Sequence, residues 1–174
     1  SGPLDYWVAY QCGLAMRFYA LPPDRRFDFV DTGVGTDQAL TLLTGGQSLD
    51  ESDLERAPMF ARQIEQWALM SLLSYPVGMR VDQWLHAEYP ALRAMQREGL
   101  EFVQQENLRL LSLSMGRLTV PVPLLGMPAA YALLADDLLA TGIHAIPYRA
   151  AGVMGMGETL RQVSAETPTG PEHC

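Results

Sequence analysis

The chain has 174 residues, with 20 acidic against 12 basic side chains and a formal net charge of −8. That is the size of one domain or two small ones, long enough to bury a core without staples. All twelve basic residues are arginines, and the absence of lysine excludes Schiff-base chemistry with a carbonyl substrate or pyridoxal phosphate, as well as a Walker-type phosphate loop. An acidic chain without a basic stripe is repelled by phosphate backbones and anionic lipid, which argues against nucleic-acid and membrane partners.

Two cysteines, Cys12 and Cys174, make no disulfide framework, and reduced thiols fit a cytoplasmic protein. No window approaches the ~18 apolar residues of a membrane span, and no charged head with an apolar run opens the chain. Ser1-Gly2-Pro3 reads as a cloning remnant, and arginine-only basic usage with abundant Ala, Leu, Gly and Pro reads as a GC-rich bacterial gene.

From Asp5 to about Leu21, apolar residues recur every three or four positions (Trp7, Val8, Tyr10, Leu14, Phe18), which predicts a helix that Pro22-Pro23 ends. A loop or brief strand with Gly33 and Gly35 leads to a helical turn over 37–43, stopped by Thr44-Gly45-Gly46. Ser48 and Glu51 have capping-box spacing, and Pro58 suits the first turn of a helix running to about Ser74. Tyr75-Pro76-Val77-Gly78 predicts a break, followed by a short helix bearing Val81, Trp84 and Leu85. Pro90 opens the longest candidate, about 91–115, with Leu92, Met95, Gly99, Phe102 and Val103 on its apolar stripe. Trp67, Trp84 and Phe102 sit on the stripes of their own helices and are expected in one core.

After Met115 the period changes. Arg117 to Pro123 alternates β-branched residues with prolines and predicts an edge strand. A helix over 128–141 follows, then a strand from Ile143 to Arg149, a glycine-rich stretch from Gly152 to Gly157, and a third strand or last helix over 159–164. Leu118 to Pro123, Gly142-Ile-His-Ala-Ile-Pro-Tyr-Arg149 and Glu158 to Ser164 together resemble the C-terminal small domain of pyridoxal-phosphate-dependent transferases, over roughly the last 50 residues. The part of that family that holds the cofactor has no counterpart here, so the resemblance implies only a strand-helix-strand-strand element. The expected fold is therefore α+β: a helical bundle region over 1–115, a small α/β element over 116–166 and a polar disordered tail over 167–174.

Chemistry-bearing patterns are sparse. Gly152, Gly155 and Gly157 are spaced opposite to a dinucleotide-binding fingerprint and read as a mobile loop. Asp82 and His86 are one helical turn apart with Glu88 beyond, a partial metal set that reads better as a surface contact. Cys12 falls on an aromatic helix face, where a thiol behaves as a small hydrophobe, and Asp136-Asp137 reads as a solvated pair. No catalytic set, metal site or cofactor is expected.

What remains is an acidic surface with adaptable methionines, four of them (Met115, Met127, Met154, Met156) in the last third. This favours a non-enzymatic protein-binding adaptor, assembly factor or chaperone of a bacterial cytoplasmic complex, working as a homodimer or on a protein partner. The expected contact is a strand edge at Val120 to Met127 or Ile143 to Tyr148. The alternative is a small-molecule site, sensory or enzymatic, in which Arg149 anchors an anion beside His144 and Tyr148, with Met154 in a covering loop.

Overall fold

The computed structural model describes residues 3–23, 34–44, 49–115, 118–120 and 122–165. Among the described residues seven α-helices carry the fold: α1 (Leu4–Ala20), α2 (Val34–Thr44), α3 (Glu51–Glu88), α4 (Arg93–Leu111), α5 (Gly126–Leu139), α6 (Ile146–Ala150) and α7 (Met154–Ala165). The only strand pairing among the described residues is a two-residue antiparallel contact of β1 (Ser114–Met115) with β2 (Leu118–Thr119). The α+β expectation, with its strand-helix-strand-strand element, is therefore corrected: apart from this short contact, the described residues fold almost entirely as helices.

The reason is clearest at residues 143–149, read from sequence as a strand. Buried Ala145 and Tyr148 are three apart, while Ile143 and Ile146 are exposed, so the operative period is helical. Pro147 sits in the first turn of α6, where its missing N–H costs nothing. Asp136 supplies the start from outside the helix. Its Oδ1 accepts from the His144 N–H and its Oδ2 from the Ala145 N–H, both at 3.0 Å, and the Thr141 hydroxyl donates to Oδ1 at 2.7 Å. Residues 122–125 likewise form a 3-10 turn leading into α5. Among the described residues, neither 122–127 nor 143–148 is a strand edge, contrary to the edges expected at Val120 to Met127 and Ile143 to Tyr148.

The glycine-rich stretch starts a helix rather than a loop. Gly152 takes φ +74° in the turn before α7, whereas Gly155 and Gly157 lie inside it. A Cβ on Gly157 would sit 2.8 Å from the Ala129 Cβ and 3.0 Å from backbone atoms of residues 129 and 130. The glycine therefore lets α7 approach the backbone of α5 closely.

Helix α3 is also longer than expected. Its N-cap is Asp50, whose side chain accepts from the Asp53 N–H at 2.9 Å; Ser48 lies outside the described residues. It passes through Pro58 and Pro76 to Glu88, about 57 Å, without the break expected at 75–78. Each interior proline removes a helical hydrogen bond. Packing on both sides of the second site holds the helix together: Ala57, Phe60, Ala61 and Ile64 are buried before it, and Met79, Val81 and Leu85 after it.

The remaining helices pack around α3. Helices α1, α2 and α5 contact it directly, α5 also packs on α4 and α7, and α1 leans on α4. The core falls into three clusters. One joins α2, the first half of α3, Leu118, α5, Tyr148 and Met154; a second gathers Met79, Leu100, Tyr131, Leu134 and Leu139; a third sets Tyr6 against Val81 and Leu85. Trp67 packs on the first and Trp84 on the third, while Phe102 is 55% exposed, so these three aromatics do not share one core.

Candidate functional site

Helix α1 has two apolar faces, and they have different fates. The inner face buries Tyr6, Gly13 and Arg17, with Trp7, Tyr10 and Leu14 partly buried beside them. Gly13 permits the approach, since a Cβ there would lie 2.7 Å from the Val81 Cγ1. Arg17 is 1% exposed, and its guanidinium carbon lies 5.6 Å from the centre of the Trp84 ring, a geometry in which the cation gains from the ring quadrupole.

Behind that face lies a polar centre built on Asp82, which is fully buried. The Tyr6 hydroxyl donates to its Oδ1 at 2.8 Å, Gln96 Nε2 donates to the same oxygen at 3.1 Å and to the Asp82 carbonyl at 2.8 Å, and the Tyr131 hydroxyl donates to Oδ2. Because Gln96 spends its amide N–H on Asp82, its Oε1 is left to accept from His86 Nδ1 at 3.0 Å. Four helices, α1, α3, α4 and α5, thus converge on one carboxylate.

Burial pushes the Asp82 carboxyl up to about 6, although the bonds from Tyr131, Gln96 and Tyr6 and the nearby His86 pull the other way. Burial first, and then the Asp82 charge, push the Tyr6, Tyr10 and Tyr131 hydroxyls well above the usual phenol range. They stay protonated at neutral pH, and Tyr6 and Tyr131 donate to Asp82. The Asp82–His86 spacing noticed in the sequence is therefore real proximity with a different purpose: Asp82 points inward to tyrosines, and Glu88 is exposed. Among the described residues no group of three or more His, Cys, Asp or Glu side chains could hold a metal ion.

A second polar group lies further along. The Tyr75 hydroxyl donates to Asn107 Oδ1, and the Tyr75 ring centroid is 5.3 Å from that of Tyr131. Burial, followed by the nearby Tyr75, pushes the Tyr148 hydroxyl upward. Gln104, Asn107 and Tyr148 are all buried. Both amide atoms of Gln104, Asn107 Nδ2 and the Tyr148 hydroxyl have no hydrogen-bond partner among the described residues.

The residues proposed from sequence for an anion site differ in burial. Tyr148 and Met154 join the first core cluster, His144 is half-buried in the turn before α6, and Arg149 is exposed. Asp136 and Asp137 also separate: the first caps α6, and the second is exposed and pairs with Arg161. Gly35 lies in α2, and Gly33 and Cys174 fall outside the described residues. Sequence reasoning missed Tyr6, Gln96 and Tyr131. The readable signal was the position of Asp82 between Val81 and Leu85, inside an apolar stripe.

The outer face of α1 carries a row of exposed apolar residues. Leu4 is 67% exposed, Val8 55% and Met16 48%, at a constant spacing of four, with exposed Cys12 completing the row and exposed Ala15 beside it. Asp5 is the one exposed charged residue on the helix. Phe102 of α4 widens the patch, its ring edge-on to Trp7 at 6.5 Å. A surface helix of a globular protein normally turns a polar face to water, whereas the outer row of α1 is apolar.

No protein-family model, no curated protein and no solved structure matches the chain.

Proposed function

We propose that the chain works by protein–protein contact, as a dimeric adaptor, assembly factor or chaperone of a bacterial cytoplasmic complex, and that the outer face of α1 is its contact surface. The observation that carries this reading is the exposed row Leu4, Val8, Cys12 and Met16 on a helix whose other face is already buried. Desolvating such a row rewards an apolar partner at roughly 25 cal/mol per Å2. No described helix is long and apolar enough to cross a membrane, so a bilayer-spanning role for this helix is not supported. The test is a benzophenone maleimide placed on Cys12 of a Cys174→Ser chain and irradiated in an extract of the source cells. Protein adducts that vanish in the Val8→Glu, Met16→Glu double variant, with helicity unchanged by circular dichroism, are expected; no adducts, or adducts indifferent to the substitutions, would contradict it.

The unpartnered polar atoms of Gln104, Asn107 and Tyr148 favour a second reading, a small-molecule site. Since none of these groups is charged, they suit an uncharged molecule with both donors and acceptors rather than the anion expected near Arg149. Saturable stabilisation by neutral amides or ureas in a thermal-shift screen, lost in Gln104→Leu, would move this reading ahead.

A further inference from the structure

We infer that the occupant of the outer face of α1 is the α1 of a second copy of this chain, crossing it antiparallel with Cys12 at the two-fold axis. The inference rests on the contact surface proposed above and names its partner. Leu4, Val8, Cys12 and Met16 form a single ridge of i, i+4 residues. Two identical ridges of this kind interdigitate at about −50° and touch most closely at one point, which favours a small residue there. Cys12 and its neighbour Ala15 are the small exposed residues in the middle of the helix, with bulkier Val8 and Met16 on either side. Crossing at Cys12 sets Val8 of each chain against Met16 of the other, so the face carries its own complement.

Charge selects the direction. The chain carries −8 overall, yet the only exposed charged residue on α1 is Asp5, seven residues from the crossing. An antiparallel crossing holds the two Asp5 carboxylates about 20 Å apart, beyond the screening length of ~8–10 Å, while a parallel one brings them to about half that distance. The area also fits. Leu4, Val8, Met16 and, at the flank, Phe102 all expose about half or more of their surface, the kind of apolar area that two copies would need to bury toward the roughly 1,000 Å2 of a specific interface.

The experiment reads direction and partner together. In a Cys174→Ser chain, mild copper-phenanthroline oxidation is expected to give a covalent dimer through Cys12, and alkylation of Cys12 by iodoacetamide is expected to slow as protein concentration rises. In a Cys12→Ser, Cys174→Ser background, chains carrying Val8→Cys are expected to cross-link to chains carrying Met16→Cys and not to each other. Cross-links between two Val8→Cys chains instead would overturn the antiparallel arrangement while leaving α1 as the contact surface. A Cys12 protected equally at every concentration would assign the face to another segment of the same chain and overturn the second copy. A monomer up to about 100 μM with no cross-link would overturn it too, and the Cys12 photoadducts would then decide separately whether a different protein uses the surface.

Discussion

The hydroxyl of Tyr6 donates a 2.8 Å hydrogen bond to Asp82, 76 residues away, and both side chains are fully buried. With Gln96 and Tyr131 on the same carboxylate, this bond ties α1 to the centre of the bundle. It thereby fixes which side of α1 faces outward. A buried carboxylate held this way is costly to desolvate and costlier to leave unpaired, so it specifies one arrangement of four helices more than it stabilises it.

Stability should depend on pH through Asp82. Its folded pKa of about 6 lies above the ordinary 3.8, so the folded state holds the proton more tightly than the unfolded chain. The contribution is complete below about pH 4 and is lost as pH rises through 6, amounting to about 3 kcal/mol. Asp136 has the opposite sign. Partial burial alone would raise its pKa, but the bonds from Thr141, His144 and Ala145 and the nearby His144 hold it below the usual value, so its contribution is lost only in stronger acid. Urea midpoints measured from pH 4 to 8 should fall and then level, and Asp82→Asn should flatten the curve.

Tyr6→Phe removes one donor from Asp82 and leaves Gln96 and Tyr131. The expected cost is about 2 kcal/mol at pH 8, where the carboxylate is charged, and about 1 kcal/mol at pH 5, where it is neutral. Equal costs at both pH values, read from chemical denaturation, would mean that Asp82 does not ionise in this range.

Gly157 and Gly155 should respond in opposite directions to alanine. A Cβ on Gly157 meets the backbone of α5, which cannot give way, whereas a Cβ on Gly155 has nothing within 4 Å. Gly157→Ala is expected to destabilise by about 1–3 kcal/mol in spite of its better helix propensity. Gly155→Ala is expected to stabilise by up to about 1 kcal/mol. Thermal melts of the two variants check both.

Phe102→Ala, which would cost ~3–5 kcal/mol if Phe102 were a core residue, is expected to cost less than about 1 kcal/mol, because the ring is half in water. Its effect should fall on association instead, since the ring borders the outer face of α1. Denaturation and light scattering on the same variant separate the two.

Much of the helical layout was legible because helices announce their period and their stops. The repeat from Trp7 to Phe18 and the Pro22-Pro23 stop located α1, and Pro90 marked the turn before α4. What failed depended on distant residues. Asp136 turns Ile143 to Arg149 into a cap and a helix, and no local pattern reveals a carboxylate arriving from the previous helix. Pro76-Val77-Gly78 stays helical because tertiary packing outweighs a local breaker, and Gly78 lies against Tyr10, where a Cβ would collide with the hydroxyl. The polar centre was half visible: Asp82 and His86 were singled out together, yet their connection runs through Gln96, and the two tyrosines come from helices on either side in sequence. The exposed row on α1 was not legible because Val8 and Tyr10, both on one apolar stripe by spacing, lie on opposite faces of the helix.

Pairing of two chains through the outer face of α1 is read by sedimentation equilibrium of the chain from about 1 to 100 μM. A reversible monomer–dimer equilibrium with a micromolar Kd is expected, weakened about tenfold or more by Val8→Glu while the pH dependence set by Asp82 stays intact. A chain that sediments as a monomer throughout, or a dimer indifferent to Val8→Glu, would contradict it.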